Sequence, residues 1–227
     1  MPDGRKMTVA IDGPAGSGKS TVSKETARRL RYAYVDTGAM YRAVALLGMR
    51  AGLAEDDREG FIAQAAAAQM EFRVGDAGQR FFVNGEDLTD AVRDPAVGAL
   101  SSPVSAIPEV RQHLTAAQQR LAAGGGVVME GRDIGTVVCP QAEVKVFVTA
   151  TPPERARRRW RELQAKGQSI TEAEVLAEIT ERDERDSSRD VAPLRKADDA
   201  YELITDGLTI EEVVQRILDL VREAESR

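Results

Sequence analysis

The segment TVAIDGPAGSGKST, residues 8–21, constrains the fold more than any other part of the chain. An apolar, β-branched run leads into a glycine-rich loop. The loop leads into an amphipathic stretch carrying Val22, Ala27 and Leu30. From Gly13 to Ser20 the loop reads G-x-x-x-x-G-K-[ST], in the strand, loop and helix setting that its chemistry requires. Glycines let successive backbone N–H groups curl around phosphate oxygens with no Cβ in the way. The helix N-terminus adds its partial positive charge. Gly13, Pro14, Ala15, Gly16, Ser17, Gly18, Lys19, Ser20 and Thr21 are therefore the candidate cradle for a nucleoside triphosphate. Lys19 is expected to reach the β- and γ-phosphates, and Ser20 to offer its hydroxyl to Mg²⁺.

The rest of the chain fits an α/β architecture. Short apolar runs at 7–12, 32–37, 127–130, 144–149 and 200–205 alternate with helical patterns, which predicts βαβ units around a parallel sheet. Helix starts are marked by capping boxes at Thr151 to Glu154, Thr171 to Glu174 and Thr209 to Glu212. After the last box, Val213, Val214, Ile217, Leu218 and Val221 form an apolar stripe at helical spacing, expected to be core. One segment breaks the rhythm. From about 71 to 105 the sequence opens with antiparallel strand patterns and the turn signal Asn84-Gly85, an expected β-rich insertion. The expected organisation is one domain over 1–227, with core at about 1–70 and 106–227, and a helical lid at about 151–170.

Composition excludes several partners. The net charge of −6 disfavours a general polyanion binder, so no nucleic acid is expected. The single Cys139 rules out an internal disulfide and a cysteine-based zinc site. No secretory h-region and no membrane-length apolar run is visible, which predicts a cytoplasmic protein with no membrane partner.

Basic residues are nonetheless concentrated. Arg155, Arg157, Arg158, Arg159 and Arg161 lie together, and ERDERDSSRD follows at 181–190. If that stretch is helical, Arg182, Arg185 and Arg189 share one face, and Asp183, Asp186 and Asp190 repeat the spacing beside it. By itself this is also the pattern of a solvated, ion-paired helix. No N-K-x-D segment for reading guanine and no LSGGQ-like signature occurs. The only histidine, His113, falls on an expected helix from about 108 to 122, as a polar face residue. An acceptor hydroxyl generally needs a base to take its proton. A phosphate monoester does not, and the obstacle is then repulsion between two anions, which arginines and Mg²⁺ remove. Many arginines without a dedicated base is the pattern expected for phosphorylating a phosphate.

The segments IDGPAGSGKST, DTGAMYRAVA, SPVSAIPEVR, EGRDIGTVV and ERDERDSSRDVAPL, in this order, resemble the bacterial cytidylate kinases over essentially the whole chain. The resemblance implies a P-loop NTPase fold, a five-stranded parallel sheet flanked by helices, with a small β-rich insertion and a helical lid. It implies transfer of the γ-phosphate of ATP to CMP or dCMP with Mg²⁺, giving CDP or dCDP plus ADP, in pyrimidine nucleotide metabolism, by a chain that acts as a monomer. By the same resemblance Asp133 accepts the N4 amino protons of cytosine, with Ser102 and Arg111 as further base-reading residues. Thr37, Arg42 and Arg132 match contacts to the α-phosphate and base side. Arg182 and Asp186 match positions near the acceptor sugar, and Arg189 a phosphate contact. Arg158 or a near neighbour is the lid arginine, so Lys19, Arg132, Arg158, Arg182 and Arg189 form the expected catalytic set.

Some positions keep plainer readings: Asp36 as a helix cap, Tyr41 as packing, Asp183 and Arg185 as solvated partners. Glu130 stands where a shorter aspartate is expected, with a consequence for how Mg²⁺ is organised. The alternatives are a P-loop kinase for UMP, another nucleotide or a small alcohol, and a slowly hydrolysing nucleotide-binding regulator.

Overall fold

The computed structural model describes residues 6–75, 78–165 and 167–226. The chain ends, Asp76 and Ala77 of the expected insertion and Lys166 of the expected lid lie outside the described residues. In chain order the elements are β1 (Thr8–Asp12), α1 (Lys19–Leu30), β2 (Ala33–Asp36), α2 (Thr37–Arg50), α3 (Arg58–Ala67) and β3 (Met70–Gly75). Then come β4 (Gly78–Val83), β5 (Glu86–Asp87), α4 (Pro95–Val104), α5 (Pro108–Ala122) and β6 (Val127–Gly131). The chain continues through β7 (Val144–Thr149), α6 (Pro152–Ala165), α7 (Glu172–Ser187), β8 (Tyr201–Ile204) and α8 (Ile210–Glu225). All five strands expected for the main sheet are present, within two residues at each end.

The main sheet has the strand order β2-β6-β1-β7-β8. The pairs β1–β6, β1–β7 and β7–β8 are parallel. Every residue of β1 is buried, as a central parallel strand covered on both faces requires. The order turns at β1, with β6 on one side and β7 on the other. Open α/β sheets bind their ligands just beyond such a turning point, at the carboxyl ends of the strands. The register sets Asp12 opposite both Gly131 and Phe147, so the loops after β1 and β6 leave the sheet at one level.

The chain divides into two compact units, residues 1–33 with 124–227, and residues 34–123. In the first, Ala33 donates to the Gly126 carbonyl at 2.8 Å and so brings the start of β2 alongside β6. Helix α8 begins at Thr209 with the expected capping box, and Val213, Val214, Ile217, Leu218 and Val221 are buried. Helix α7 begins with the box at Thr171 and Glu174. Ala156 and Leu163 of α6 pack with Val175 and Ile179 of α7, joined by Trp160.

The second unit gathers α2 to α5 and a three-stranded antiparallel sheet, β3-β4-β5. Helix α2 carries Met40, Ala43, Val44 and Ala45 into its core, and α3 closes on it so tightly that a Cβ on Gly48 would lie 2.2 Å from the Phe61 ring. Phe72 and Phe81 stack across β3 and β4 with centroids 4.6 Å apart. Asn84 and Gly85 take φ of 52° and 83°, the left-handed pair that a tight hairpin turn demands.

One expected cap is made differently. The Thr151 backbone N–H and hydroxyl both donate to Asp206, at 3.0 and 2.6 Å, while Glu154 pairs with Arg157 and Arg158. The carboxylate that completes the α6 start thus comes from the turn after β8, because the parallel pairing of β7 and β8 sets their carboxyl ends side by side. Asp206→Ala is expected to cost roughly 1 kcal/mol of stability and Glu154→Ala less, read as shifts in the urea midpoint.

Candidate active site

The loop between β1 and α1 has the shape of an anion cradle. A Cβ on Gly13 would lie 2.0 Å from the Val148 carbonyl oxygen, so only glycine lets β1 leave the sheet this close to β7. Gly16 and Gly18 take φ of 73° and 84°. No side chain caps α1 at Gly18, which leaves its first-turn N–H groups to the loop interior. Lys19 is buried, and its ammonium reaches back across the loop to the Pro14 carbonyl at 3.2 Å. The Ser20 hydroxyl donates to the Glu130 carboxylate at 2.8 Å. Glu130 is buried near the end of β6, and its side chain carries the carboxylate to Ser20 on α1. This pair of hard oxygens beside a phosphate cradle suits Mg²⁺, which takes one or two protein ligands and draws the rest from phosphate and water. Among the described residues no group of three His, Cys, Asp or Glu forms a protein cage for a metal.

Arg132 and Asp133 follow β6 and open a single π-helical turn, Ile134–Val138. Asp133 is buried and does not cap that turn. The cap comes instead from Asp12, the last residue of β1, whose two carboxylate oxygens accept from the Ile134 and Gly135 N–H groups, both at 2.8 Å. Burial pushes the Asp12 carboxyl up to about 6, against the pull of those two N–H groups. The charge of Asp133 adds to the rise and that of Arg132 opposes it.

The arginine row divides by role. Helix α7 ends at Ser187, so Arg189 lies beyond it and not on a continued face. Its guanidinium instead turns back, Nε donating to the Asp186 carbonyl at 3.2 Å, with Nη2 3.6 Å from the Asp186 carboxylate. Arg132 donates to the other Asp186 oxygen at 2.9 Å. Burial works to raise the Asp186 carboxyl, but Arg132, Arg189 and Arg182 outweigh it and hold it below its ordinary value. Arg132, Arg182, Asp186 and Arg189 are thus one electrostatic cluster. Arg185 pairs with Glu181 on the exposed side of α7 at 2.5 Å.

Asp183 is no solvated partner. It accepts from Arg155 at 2.6 Å, and Arg155 is buried, donating also to the Ala150 and Ala15 carbonyls at 3.0 and 2.9 Å. One guanidinium therefore joins the phosphate loop to α6 and α7. Arg158 bonds Glu154, the Thr205 hydroxyl and the Thr205 carbonyl, and its Nη1 lies 3.7 Å from where a Gly18 Cβ would be.

In the second unit Asp36 caps α2 by accepting from the Ala39 N–H and holds Arg42 at 2.9 Å. Thr37 is the buried first residue of α2. Ser102 is buried on α4, and its carbonyl accepts from the Ser105 hydroxyl. Arg111, 2% exposed, donates to the Ser105 carbonyl at 3.1 Å and sits 5.2 Å over the Tyr41 ring, so Tyr41 is packing with a cation on its face. Thr37, Arg42, Ser102 and Arg111 belong to this unit, and the cradle with the Arg132–Arg189 cluster to the other.

Sequence reasoning missed Asp12 and Arg155. The signal for Asp12 was present: an acid closing an otherwise apolar, fully buried strand. Arg155 was one of five clustered arginines, and only its place beside Ala156, on the stripe that continues to Trp160 and Leu163, marks it as inward.

A sequence profile of the family described as cytidylate kinase matches residues 9–223. The chain is 49% identical over 215 residues to a cytidylate kinase of Carboxydothermus hydrogenoformans, across 95% of this chain and 97% of that one. It is 50% identical over 221 residues to a cytidylate kinase of Geobacter sulfurreducens, across 97% and 95%. Among solved structures it is similar in fold to an uncharacterised protein of Eubacterium ventriosum, with a TM-score of 0.51, 11% identity and coverage of 98% and 99%.

Two outcomes follow from the geometry. The Asp12 carboxyl binds its proton more tightly folded, at about 6, than at the ordinary 3.8, so its contribution to stability is full below about pH 4 and lost as pH rises through about 6. The unfolding free energy of the protein relative to Asp12→Asn should fall by about 3 kcal/mol over that window, measured by urea unfolding at each pH. Arg155→Met leaves Asp183 and the Ala15 carbonyl without their buried cation. It is expected to lose about 3 kcal/mol of stability and to weaken ATP binding, read by calorimetry.

Proposed function

The chain belongs to the cytidylate kinase family and is an ATP-dependent nucleoside monophosphate kinase, and we propose that its residues divide the reaction as follows. The Gly13 to Thr21 loop holds the β- and γ-phosphates of ATP on backbone N–H groups, with Lys19 on their outer oxygens. Ser20, with Glu130 orienting its hydroxyl, holds Mg²⁺ and the waters around it. Bound there, Mg²⁺ offsets charge on the β- and γ-oxygens and keeps them in line for transfer.

Asp133 accepts the N4 amino protons of cytosine, a donor that uracil replaces with a carbonyl acceptor. Ser102 and Arg111 read the remaining base edge, and Thr37 and Arg42 hold the acceptor phosphate. Arg132 and Arg189 lie along that phosphate and the transferring group, Arg182 stands beside them, and Asp186 fixes their guanidinium planes and takes a sugar hydroxyl. Arg158, on the 151–170 lid, adds a cation on the donor side when the lid excludes water. The acceptor is CMP or dCMP, and the γ-phosphate passes to it to give CDP or dCDP plus ADP. We place the enzyme in the cytoplasm, as a monomeric single kinase domain in pyrimidine nucleotide metabolism.

The observation that carries this reading is the Arg132–Asp186–Arg189 cluster next in sequence to buried Asp133, in the same unit as the triphosphate cradle. It offers cations for a phosphate and an acceptor for an amino group. His113, the one histidine, is exposed on α5, as suits an acceptor already dianionic near pH 7.

The test is an acceptor panel. With ATP·Mg²⁺, ADP release should be fast with CMP and dCMP and slow with UMP or AMP. Release that is equally fast without any acceptor would sink the reading. Asp133→Ala should lower kcat/KM for CMP by roughly a hundredfold or more while KM for ATP stays within about threefold.

A further inference from the structure

We infer that Asp12 is a specificity-positioning residue: it caps the turn after Asp133 so that the Asp133 carboxylate is aimed at the base rather than at its own backbone. The inference rests on the base-reading role proposed for Asp133 and deepens it. An aspartate just before a helical turn ordinarily bends its carboxylate onto the N–H groups of that turn, satisfying donors that have no other partner. Asp133 stands at such a position, with φ of −140° and ψ of 22°, and its side chain makes no capping bond. The turn beyond it is closed by Val137 and Val138 N–H bonds to the Asp133 carbonyl, at 2.9 and 3.1 Å, so the first donors that the turn itself leaves open are those of Ile134 and Gly135. Both are taken by Asp12, one oxygen each, at 2.8 Å.

The geometry is specific to an acid at this place. Asp12 ends β1, and the register sets it level with Gly131, two residues before Asp133. A Cβ on Gly135 would stand 3.4 Å from the Asp12 oxygen and 3.3 Å from the Lys145 stem, so the turn is held against both. Asp12 is 5% exposed, and burying a carboxylate is costly unless its bonds repay the lost hydration. An apolar residue would fill the space at lower cost. What it would not do is occupy the two N–H groups. Remove that acceptor and the nearest replacement is Asp133 itself, whose capture would withdraw the carboxylate from the cytosine amino group.

The experiment compares the full-length protein with Asp12→Asn and Asp133→Asn, by steady-state kinetics on CMP, UMP and ATP. Asp12→Asn keeps the volume but turns one acceptor into a donor facing an N–H group. It is expected to raise KM for CMP about tenfold, to narrow the preference for CMP over UMP by a similar factor, and to leave KM for ATP within about twofold. A purely structural role would not give that split, since a loosened core raises both constants together. Should Asp12→Asn not fold by circular dichroism and thermal unfolding, Asp12→Ser, which retains one acceptor, supplies the same comparison. Equal rises for CMP and ATP, or no change in either, overturn the inference. If Asp133→Asn narrows the CMP preference and the Asp12 variant does not, the inference fails alone. If Asp133→Asn leaves the preference intact, the base-reading role fails and the inference goes with it.

Discussion

Guanidinium groups gathered in one place repel one another, and that repulsion is what the cluster has to solve. Here a carboxylate meets four of the arginines: Asp186 stands between Arg132 and Arg189, Asp183 on Arg155 and, within the second unit, Asp36 on Arg42. Two unit charges about 4 Å apart interact by roughly 4 kcal/mol in a partly screened setting, so one acid between two cations offsets their mutual cost. The same contacts fix rotamers. A long arginine loses about 2 kcal/mol of side-chain entropy when it is ordered, and here much of that loss is taken within the fold itself. The acidic net charge of the chain is thus compatible with a strongly cationic site.

The sheet supplies the coordinates for that chemistry. Gly13 meets the Val148 carbonyl so closely that the phosphate loop is pinned where β1 and β7 end. Arg155 carries the other side of the loop through the Ala15 carbonyl and ties it to Asp183 on α7. The backbone of the 13–21 loop is therefore braced by α6 and α7. The placing of α6 and α7 and the shape of the loop are linked through one guanidinium.

Much of this could be read from the sequence because local rules dominate there. The glycine loop between an apolar strand and a helix, the alternation of strand and helix, Asn84-Gly85 and the caps at Thr171 and Thr209 each depend on a few consecutive residues. What local rules miss is pairing across the sheet. Thr151 finds its carboxylate in Asp206 because β7 and β8 lie side by side, and no spacing rule links those two numbers. Arg189 keeps a partner on α7 although the helix ends before it, because the chain folds back onto Asp186. Asp12 and the turn after Asp133 are 122 residues apart, and their bond exists only once β1 and β6 are in register.

A cluster of ion pairs that is too strong would hold its arginines away from substrate. The contacts around Asp186 are graded against this. Arg132 meets it through Nε, and its Nη1 makes only a long contact of 3.4 Å to the Gly131 carbonyl. Arg189 meets it at 3.6 Å, beyond good hydrogen-bond length. The outer Nη1 of Arg132 is thus weakly held. A dianionic phosphate brings twice the charge of the carboxylate and three acceptor oxygens, and paired, short N–H contacts to such a group are the stronger kind. In the reading proposed above, Asp186 would not have to be displaced by a bound phosphate. It holds Arg132 by the inner edge, through Nε, and so would leave the outer edge of that fork to the ligand proposed for it.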